Sequence, residues 1–137
     1  MNRTDLRNLS ALRAKEARVL LDNDCYDGAY YLIGYAVECA LKACIAKRTQ
    51  RYDFPDKRTV NESFTHNLEK LVQVIGLQAA LAIESRRDPA FGVNWSVVKD
   101  WDEQSRYSTW TKTESENLYR AVIDRRHGVL RWVKLHW

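Results

Sequence analysis

The stretch from Asp27 to Lys47 reads DGAYYLIGYAVECALKACIAK and has the most continuous apolar pattern in the chain. A spacing of three and four residues between apolar side chains is typical of one buried helix face. We therefore predict a central core helix over Asp27–Lys47, with the Asp27 side chain capping its first amide groups. The apolar residues are Ala29, Leu32, Ile33, Ala36, Val37, Ala40, Leu41, Cys44 and Ile45.

The rest of the chain shows the same helical spacing in shorter segments, and no segment has the two-residue period of a strand. The predicted helices are Leu6–Leu21, Thr65–Gly76, Leu77–Ser85, a small helical turn from Trp95 to Trp101, and a last helix from Thr113 nearly to the C terminus. The short polar break after Leu21 predicts antiparallel packing of the first two helices. We predict an all-α, up-and-down bundle of four to five main helices, in a single domain over residues 1–137.

Two details concern the connections in this bundle. The segment Thr49–Phe64 has no helical period and contains Pro55, so it is predicted to be an exposed connection. In the last helix, Thr113 with Glu116 fits a capping box. Gly128 costs about 1 kcal/mol relative to alanine inside a helix, so it indicates close packing or a bend there.

Composition bounds the partners and cofactors. The net charge of +4 favours a polyanion such as RNA, although only weakly. The three cysteines, Cys25, Cys39 and Cys44, are odd in number and form no CxxC pair, so neither a disulfide framework nor a zinc site is predicted. We expect no metal and no other cofactor. The polar N-terminal ten residues and the lack of an apolar run near about 20 residues predict a cytoplasmic protein without a membrane span.

Several motifs together resemble one family. The run Asp27–Lys47 resembles the second helix of HEPN domains, which are small helical bundles. The sequence from Thr65 to Leu68 is similar to the "H-x-L" start of their third helix, and Arg106–Tyr107 is similar to their "RY" element. The resemblance implies a homodimer, and for many bacterial members a neighbouring nucleotidyltransferase in a toxin–antitoxin pair. Active members use an Arg-x4-6-His motif for metal-independent RNA cleavage.

The ribonuclease motif has two candidate locations here. Arg106 lies where the family places the motif arginine, but Thr111 stands at the first position expected for histidine. Family members with the "H-x-L" and "RY" pattern keep both residue types without the standard motif, so the resemblance implies that His66 faces a groove near Arg106. A literal match occurs at Arg131 and His136, near the end of the last helix. Five positions correspond to about 140° around a helix, so these two side chains are expected to diverge. Either pair is a catalytic candidate, and a purely structural His66 is the alternative.

A polar strip interrupts the apolar face of the central helix. Glu38 and Lys42 lie four residues apart, so they can pair across one turn. By the resemblance, Glu38 is placed to orient Arg106; a structural ion pair that fixes helix packing is the alternative. The candidate residues for binding nucleic acid or a nucleotide are Tyr31, Tyr35, Glu38, Lys42 and Tyr107.

The tryptophans allow two interpretations. Such rings can stack on unpaired bases, or they can fill a core or a dimer interface. They are Trp95, Trp101, Trp110, Trp132 and Trp137.

Three hypotheses for function follow. The leading one is a HEPN-type protein that associates with nucleic acid or nucleotide as a non-catalytic or weakly active partner of a nucleotidyltransferase in a two-gene, toxin–antitoxin-like module. The second is a metal-independent endoribonuclease toxin. The third is a structural dimerisation or docking module without a nucleic-acid role.

Overall fold

The computed structural model of this chain describes residues 1–51 and 57–137. Within these residues the chain forms eight α-helices and one 3-10 helix, and no strand. Five of the helices have ten or more residues, in agreement with the predicted bundle of four to five main helices. The helices are α1 (Arg3–Asp22), α2 (Tyr26–Arg51), α3 (Lys57–Glu62), α4 (Leu68–Ile75), α5 (Gln78–Arg87), α6 (Pro89–Val98), the 3-10 helix (Glu103–Tyr107), α7 (Lys112–Ile123) and α8 (Val129–Lys134).

Helix α2 is the centre of the bundle, as predicted. It packs against α1, α4, α7, α8 and the 3-10 helix, and its predicted apolar face is buried among them except for the half-buried Leu32. At Gly34 the Trp101 ring lies directly on the helix, because an added Cβ would overlap the indole. The absence of a side chain at Gly34 therefore allows Trp101, in the segment after α6, to contact α2.

Helices α1 and α2 run antiparallel, as the short polar break predicted. Near the turn Gly28 faces Leu20, and further along the Ser10 hydroxyl donates to the Ala36 carbonyl at 2.7 Å. The first contact lies near the turn on both helices and the second lies further from it on both, as expected of an antiparallel pair. The turn itself includes Asp24, whose φ of 60° lies in the left-handed region.

The ends of three helices differ from the predictions. Asp27 does not cap α2; it lies in the first turn, and its carboxylate accepts a hydrogen bond from the Trp110 amide at 2.6 Å. Helix α4 begins at Leu68 with Asn67 as its cap, three residues after the predicted start at Thr65. The capping box of α7 is formed by Thr111 with Glu114, two residues before the predicted pair. For α4 and α7 a neighbouring side chain of suitable type is the cap.

The predicted connection Thr49–Phe64 is wrong at both ends. Helix α2 continues to Arg51, and Lys57–Glu62 forms the short helix α3. Residues 52–56, which include Pro55, lie outside the described residues.

The predicted last helix is two helices. The chain turns after Ile123, where the Asp124 carboxylate accepts hydrogen bonds from the Arg126 and His127 amides at 2.9 and 2.7 Å. Gly128 then precedes α8, and a Cβ there would overlap the Asp124 carbonyl oxygen. The glycine therefore marks both of the features expected of it, a bend and a close approach.

One helix of the described residues, over Tyr26–Thr49, is long and apolar enough by composition to cross a membrane. This corrects the expectation that no stretch of the chain approaches that length. However, 67% of its most apolar window is buried inside the bundle, as expected of a central core helix.

Candidate functional site

A buried carboxylate on α2 is the centre of the candidate site. Glu38 is only 2% exposed. One oxygen, Oε1, lies 2.9 Å from Nδ1 of His66, and the other, Oε2, lies 3.5 Å from Nζ of Lys42. The predicted pair of Glu38 and Lys42 is therefore present, and His66, just before α4, adds a second partner from a distant part of the chain.

The 3-10 helix contributes a second carboxylate to the same imidazole. Nε2 of His66 lies 3.1 Å from Oε2 of Glu103, so the ring is held between two acidic side chains. An ionised carboxylate can only accept hydrogen bonds, so both contacts are hydrogen bonds only when both ring nitrogens carry protons. The sequence predictions missed Glu103. The available signal was its position three residues before Arg106, which is one turn of a 3-10 helix.

Arg106 lies at the exposed edge of this site. Its guanidinium is 4.8 Å from the centre of the Tyr107 ring. Electrostatic attraction to Tyr107, with hydrogen bonds to the Tyr107 and Tyr31 side chains, raises the pKa of Arg106 above its ordinary value. Tyr31 and Tyr107 therefore hold the arginine. Within the described part of the chain the ion-pair partners of Glu38 are His66 and Lys42. The prediction that Glu38 orients Arg106 is therefore not supported by these contacts.

Tyr35 forms a wall of the site rather than a source of protons. It stacks on Tyr31 with ring centres 5.9 Å apart. Burial, with the neighbouring Cys39, raises the pKa of Tyr35 to about 12. Burial likewise raises the pKa of Cys39 to about 11. Both groups are neutral near pH 7, and the charges facing the site come from the acidic and basic residues around them.

The other candidate pair, Arg131 and His136, is not brought together by any contact between described residues. His136 packs edge-on against Trp132, with ring centres 5.0 Å apart, and burial lowers its pKa. The Arg131 side chain is exposed on α8. His136 therefore belongs to the packing of the C-terminal segment.

Three of the five tryptophans are core residues. Trp95, Trp101 and Trp132 are each less than 10% exposed. Trp110 is half-buried and stacks in parallel on Tyr30. The base-stacking interpretation is thus restricted to the outer tryptophans.

Within the described residues, no group of three His, Cys, Asp or Glu side chains is placed to hold a metal ion. Both ring nitrogens of His66 have carboxylate partners, Glu38 and Glu103.

A family model described as "HEPN domain" matches residues 9–136, which is nearly the whole chain. No curated protein and no solved structure gives a significant match.

Proposed function

Because the chain belongs to the HEPN domain family, we propose that it binds RNA or a nucleotide at the site formed by His66, Glu103 and Arg106. Membership of the family supports a helical protein that associates, in general terms, with nucleotides or RNA. The finer proposal is a non-catalytic or weakly active partner of a nucleotidyltransferase in a two-gene, toxin–antitoxin-like module.

The observation that supports this site most directly is the geometry of the 3-10 helix. It presents Arg106 at the surface and, one turn earlier, places Glu103 against His66. A guanidinium is a good donor to phosphate oxygens because its N–H groups are fixed in a plane. The exposed Arg106 forms a cationic edge of the site on a net positive protein. Such an edge fits a phosphate of RNA.

The contacts of His66 support weak or absent cleavage. General acid–base chemistry requires a ring nitrogen free to exchange a proton with the substrate. Here Glu38 and Glu103 occupy both nitrogens. An imidazole held in this way positions the surrounding helices and adds positive charge when protonated.

The endoribonuclease remains the second candidate because of one observation. The His66 side chain is 41% exposed and that of Glu103 is 32% exposed, so a bound phosphate can displace the Glu103 carboxylate from Nε2. His66 would then face substrate beside Arg106. In this mechanism the arginine stabilises the charge that develops on the phosphate, while the imidazole moves the proton of the ribose 2′-hydroxyl.

A single binding and cleavage assay separates these hypotheses. A labelled single-stranded RNA is titrated with the full chain in chelator, at two salt concentrations, and the products are examined for cleavage. We expect binding that weakens with salt and falls at least about fivefold in Arg106→Gln, through loss of one phosphate contact. Arg125→Gln, which alters an exposed arginine between α7 and α8, is the matched control and is expected to bind normally.

Each other outcome selects a different hypothesis. Cleavage in chelator that is abolished by both Arg106→Gln and His66→Gln would establish the endoribonuclease. Absence of any binding to RNA or nucleotides would leave the structural docking module.

The partners belong to the same proposal. Support for a homodimer comes from α5 and α6, which expose Ile83, Val93 and Val97, while α5 buries none of its residues. We expect light scattering to give the mass of two chains for the parent and of one chain for Val93→Lys.

The nucleotidyltransferase partner is tested separately. The protein is co-expressed with the product of a neighbouring gene of that type, and the two are expected to co-purify.

A further inference from the structure

A cavity lies next to the 3-10 helix that carries Glu103 and Arg106, and Ser105 of this helix lines it. Its volume is about 200 Å³, and the residues that matter here are Tyr30, Asp100, Trp101, Asp102, Ser105 and Trp110. Pockets for whole drug-sized ligands usually have volumes of about 300–1,000 Å³. This cavity therefore suits one ring system rather than a complete nucleotide.

The aromatic part of the cavity is fixed in place. Tyr30 and Trp110 are parallel, with an interplanar angle of 7° and ring centres 3.7 Å apart. The Trp110 amide donates to Asp27 at 2.6 Å, and its indole N–H donates to the Ser105 carbonyl at 3.1 Å. Since both hydrogen bonds hold Trp110, a ring that stacks here meets a surface that is already ordered.

One buried polar group in this cavity lacks a partner. Ser105 is 5% exposed, and its hydroxyl makes no hydrogen bond within the described residues. Buried hydroxyl groups without partners are uncommon in folded proteins, and a hydroxyl can both donate and accept. The indole N–H of Trp101 also lacks a partner, but it lies against Gly34 on α2 and is therefore not counted as part of the cavity.

Two carboxylates complete the polar lining. Asp102 accepts a hydrogen bond from the Gln104 amide at 2.8 Å, and the exposed Asp100 lies beside it. Burial, followed by the charges of Glu114, Asp100 and Asp102, raises the pKa of Tyr30. The cavity thus has two acceptor-only carboxylates beside an aromatic wall, and three of its lining residues, Tyr30, Ser105 and Ser108, carry hydroxyls.

We propose that this cavity binds one unstacked guanine base, a proposal that rests on the RNA association proposed above. Unpaired RNA bases are commonly recognised by aromatic stacking and by hydrogen bonds to their Watson–Crick edge. Guanine presents two adjacent donors on that edge, N1–H and the 2-amino group, which suit a carboxylate. Its neighbouring O6 suits a donating hydroxyl such as that of Ser105, once rotation of this side chain brings its buried oxygen to the cavity surface. Adenine, cytosine and uracil offer no such pair of donors beside an acceptor.

The chain order places a phosphate site next to this base site. Arg106 follows Ser105 directly, and the serine is buried whereas the arginine is exposed. A base in the cavity therefore leaves its phosphate on the outer side of the 3-10 helix, where Arg106 lies. The acidic lining faces the base and the basic residue faces the phosphate.

The test is a titration of the full chain with GMP, IMP, AMP and CMP, in which the NMR signal of the Trp110 indole N–H reports binding. We expect GMP to bind at least about fivefold more tightly than IMP, which lacks the 2-amino group, and more tightly than AMP or CMP. Asp100→Asn and Ser105→Ala are expected to weaken GMP binding severalfold. Neither variant removes a hydrogen bond between described residues, so both should fold. Asp22→Asn, on the exposed end of α1, is the control.

Two results would overturn the guanine site. One is equal affinity for the four nucleotides, or no affinity for any of them. The other is tighter binding of spermidine than of GMP at Trp110, which would assign the carboxylates to a cation. If the protein binds RNA through Arg106 but shows no guanine preference, this inference fails alone. If Arg106→Gln leaves RNA binding unchanged, the proposed function fails as well.

Discussion

The Glu38 carboxylate lies 2.9 Å from Nδ1 of His66, which joins the middle of α2 to the start of α4 across 28 positions of sequence. The glutamate is buried, whereas the histidine is half-exposed and the second partner, Lys42, is 22% exposed at its side chain. Glu38 is therefore a buried carboxylate whose two partners, His66 and Lys42, lie nearer the surface.

Glu38→Ala is expected to lower the free energy of unfolding by about 1–3 kcal/mol, since it removes the shared acceptor of two polar groups. The lower part of that range is favoured because water can reach His66 and Lys42. Urea unfolding followed by circular dichroism measures the change. Glu38→Gln, which keeps an acceptor but removes the charge, should lose less. An alanine variant as stable as the parent would show that the contact contributes nothing to folding.

Gly34 and Gly28 form a matched pair on α2. An added methyl at Gly34 overlaps the Trp101 ring, so Gly34→Ala is expected to cost about 1–3 kcal/mol of stability or more through overpacking. At Gly28 the methyl comes within 3.1 Å of Leu20 Cδ1, the tip of a flexible side chain. Gly28→Ala should therefore change stability by less than about 1 kcal/mol, because alanine favours a helix. Thermal unfolding and near-ultraviolet circular dichroism compare the two; equal losses would contradict the close approach of Trp101.

Asp88 provides a pH-dependent contribution to stability. Its carboxylate lies 2.7 Å from Nδ1 of His127 and caps α6 by accepting from the Phe91 amide. The hydrogen bond from His127 lowers the pKa of Asp88 below its ordinary value of 3.8. A carboxyl group whose pKa is lower in the folded than in the unfolded protein stabilises the folded state in full at pH values above the ordinary pKa. This contribution to the free energy of unfolding is lost as the pH falls through the pKa of the folded state.

Asp88→Asn keeps a side chain that can cap α6 but removes the charge facing His127. The variant is expected to melt at a lower temperature than the parent at pH 5–7, with a difference that shrinks as pH falls below about 3.8. Melting temperatures across this range measure the effect. His127→Gln should give the same loss near neutral pH, whereas a difference that grows in acid would contradict the assignment.

The sequence was sufficient for the fold because α2 has a long and regular apolar face. It was less informative at helix ends, where two patterns competed. Both Thr111 with Glu114 and Thr113 with Glu116 match a capping box. The start of α7 also makes tertiary contacts with α2, from Trp110 to Asp27 and from Ser115 to Tyr26. Such a tertiary contact leaves no periodic signal in the sequence.

The candidate site was predicted in part for a similar reason. Glu38, His66 and Arg106 were all identified, but the predicted contact of Glu38 with Arg106 differs from the observed contact of Glu38 with His66, which depends on packing between distant segments. Glu103 meets His66 only because the 3-10 helix packs on α2. Spacing along one helix predicts pairs such as Glu38 with Lys42 well, whereas it contains no information on contacts between helices.

Glu103 is expected to restrain the binding of phosphate at His66. Its carboxylate occupies Nε2 of the imidazole and lies one turn from Arg106, so it competes with an anionic ligand for both side chains. A half-exposed pair of this kind is worth about 0.2–1 kcal/mol, which corresponds to a change in affinity of up to about fivefold. Glu103→Gln should therefore bind single-stranded RNA about two- to fivefold more tightly in an anisotropy titration.

A double-mutant comparison separates release of His66 from a general loss of negative charge. Glu103→Gln is made in the parent and in His66→Gln. Glu69→Gln removes an exposed carboxylate of α4 that lies 3.8 Å from Lys99, and it reports the effect of a lost negative charge away from the imidazole. If Glu103 acts through the imidazole, its removal tightens binding in the parent but has little effect once His66 is glutamine. An equal gain in both backgrounds, matched by Glu69→Gln, would assign the effect to long-range electrostatics and would leave His66 with a structural role beside Glu38.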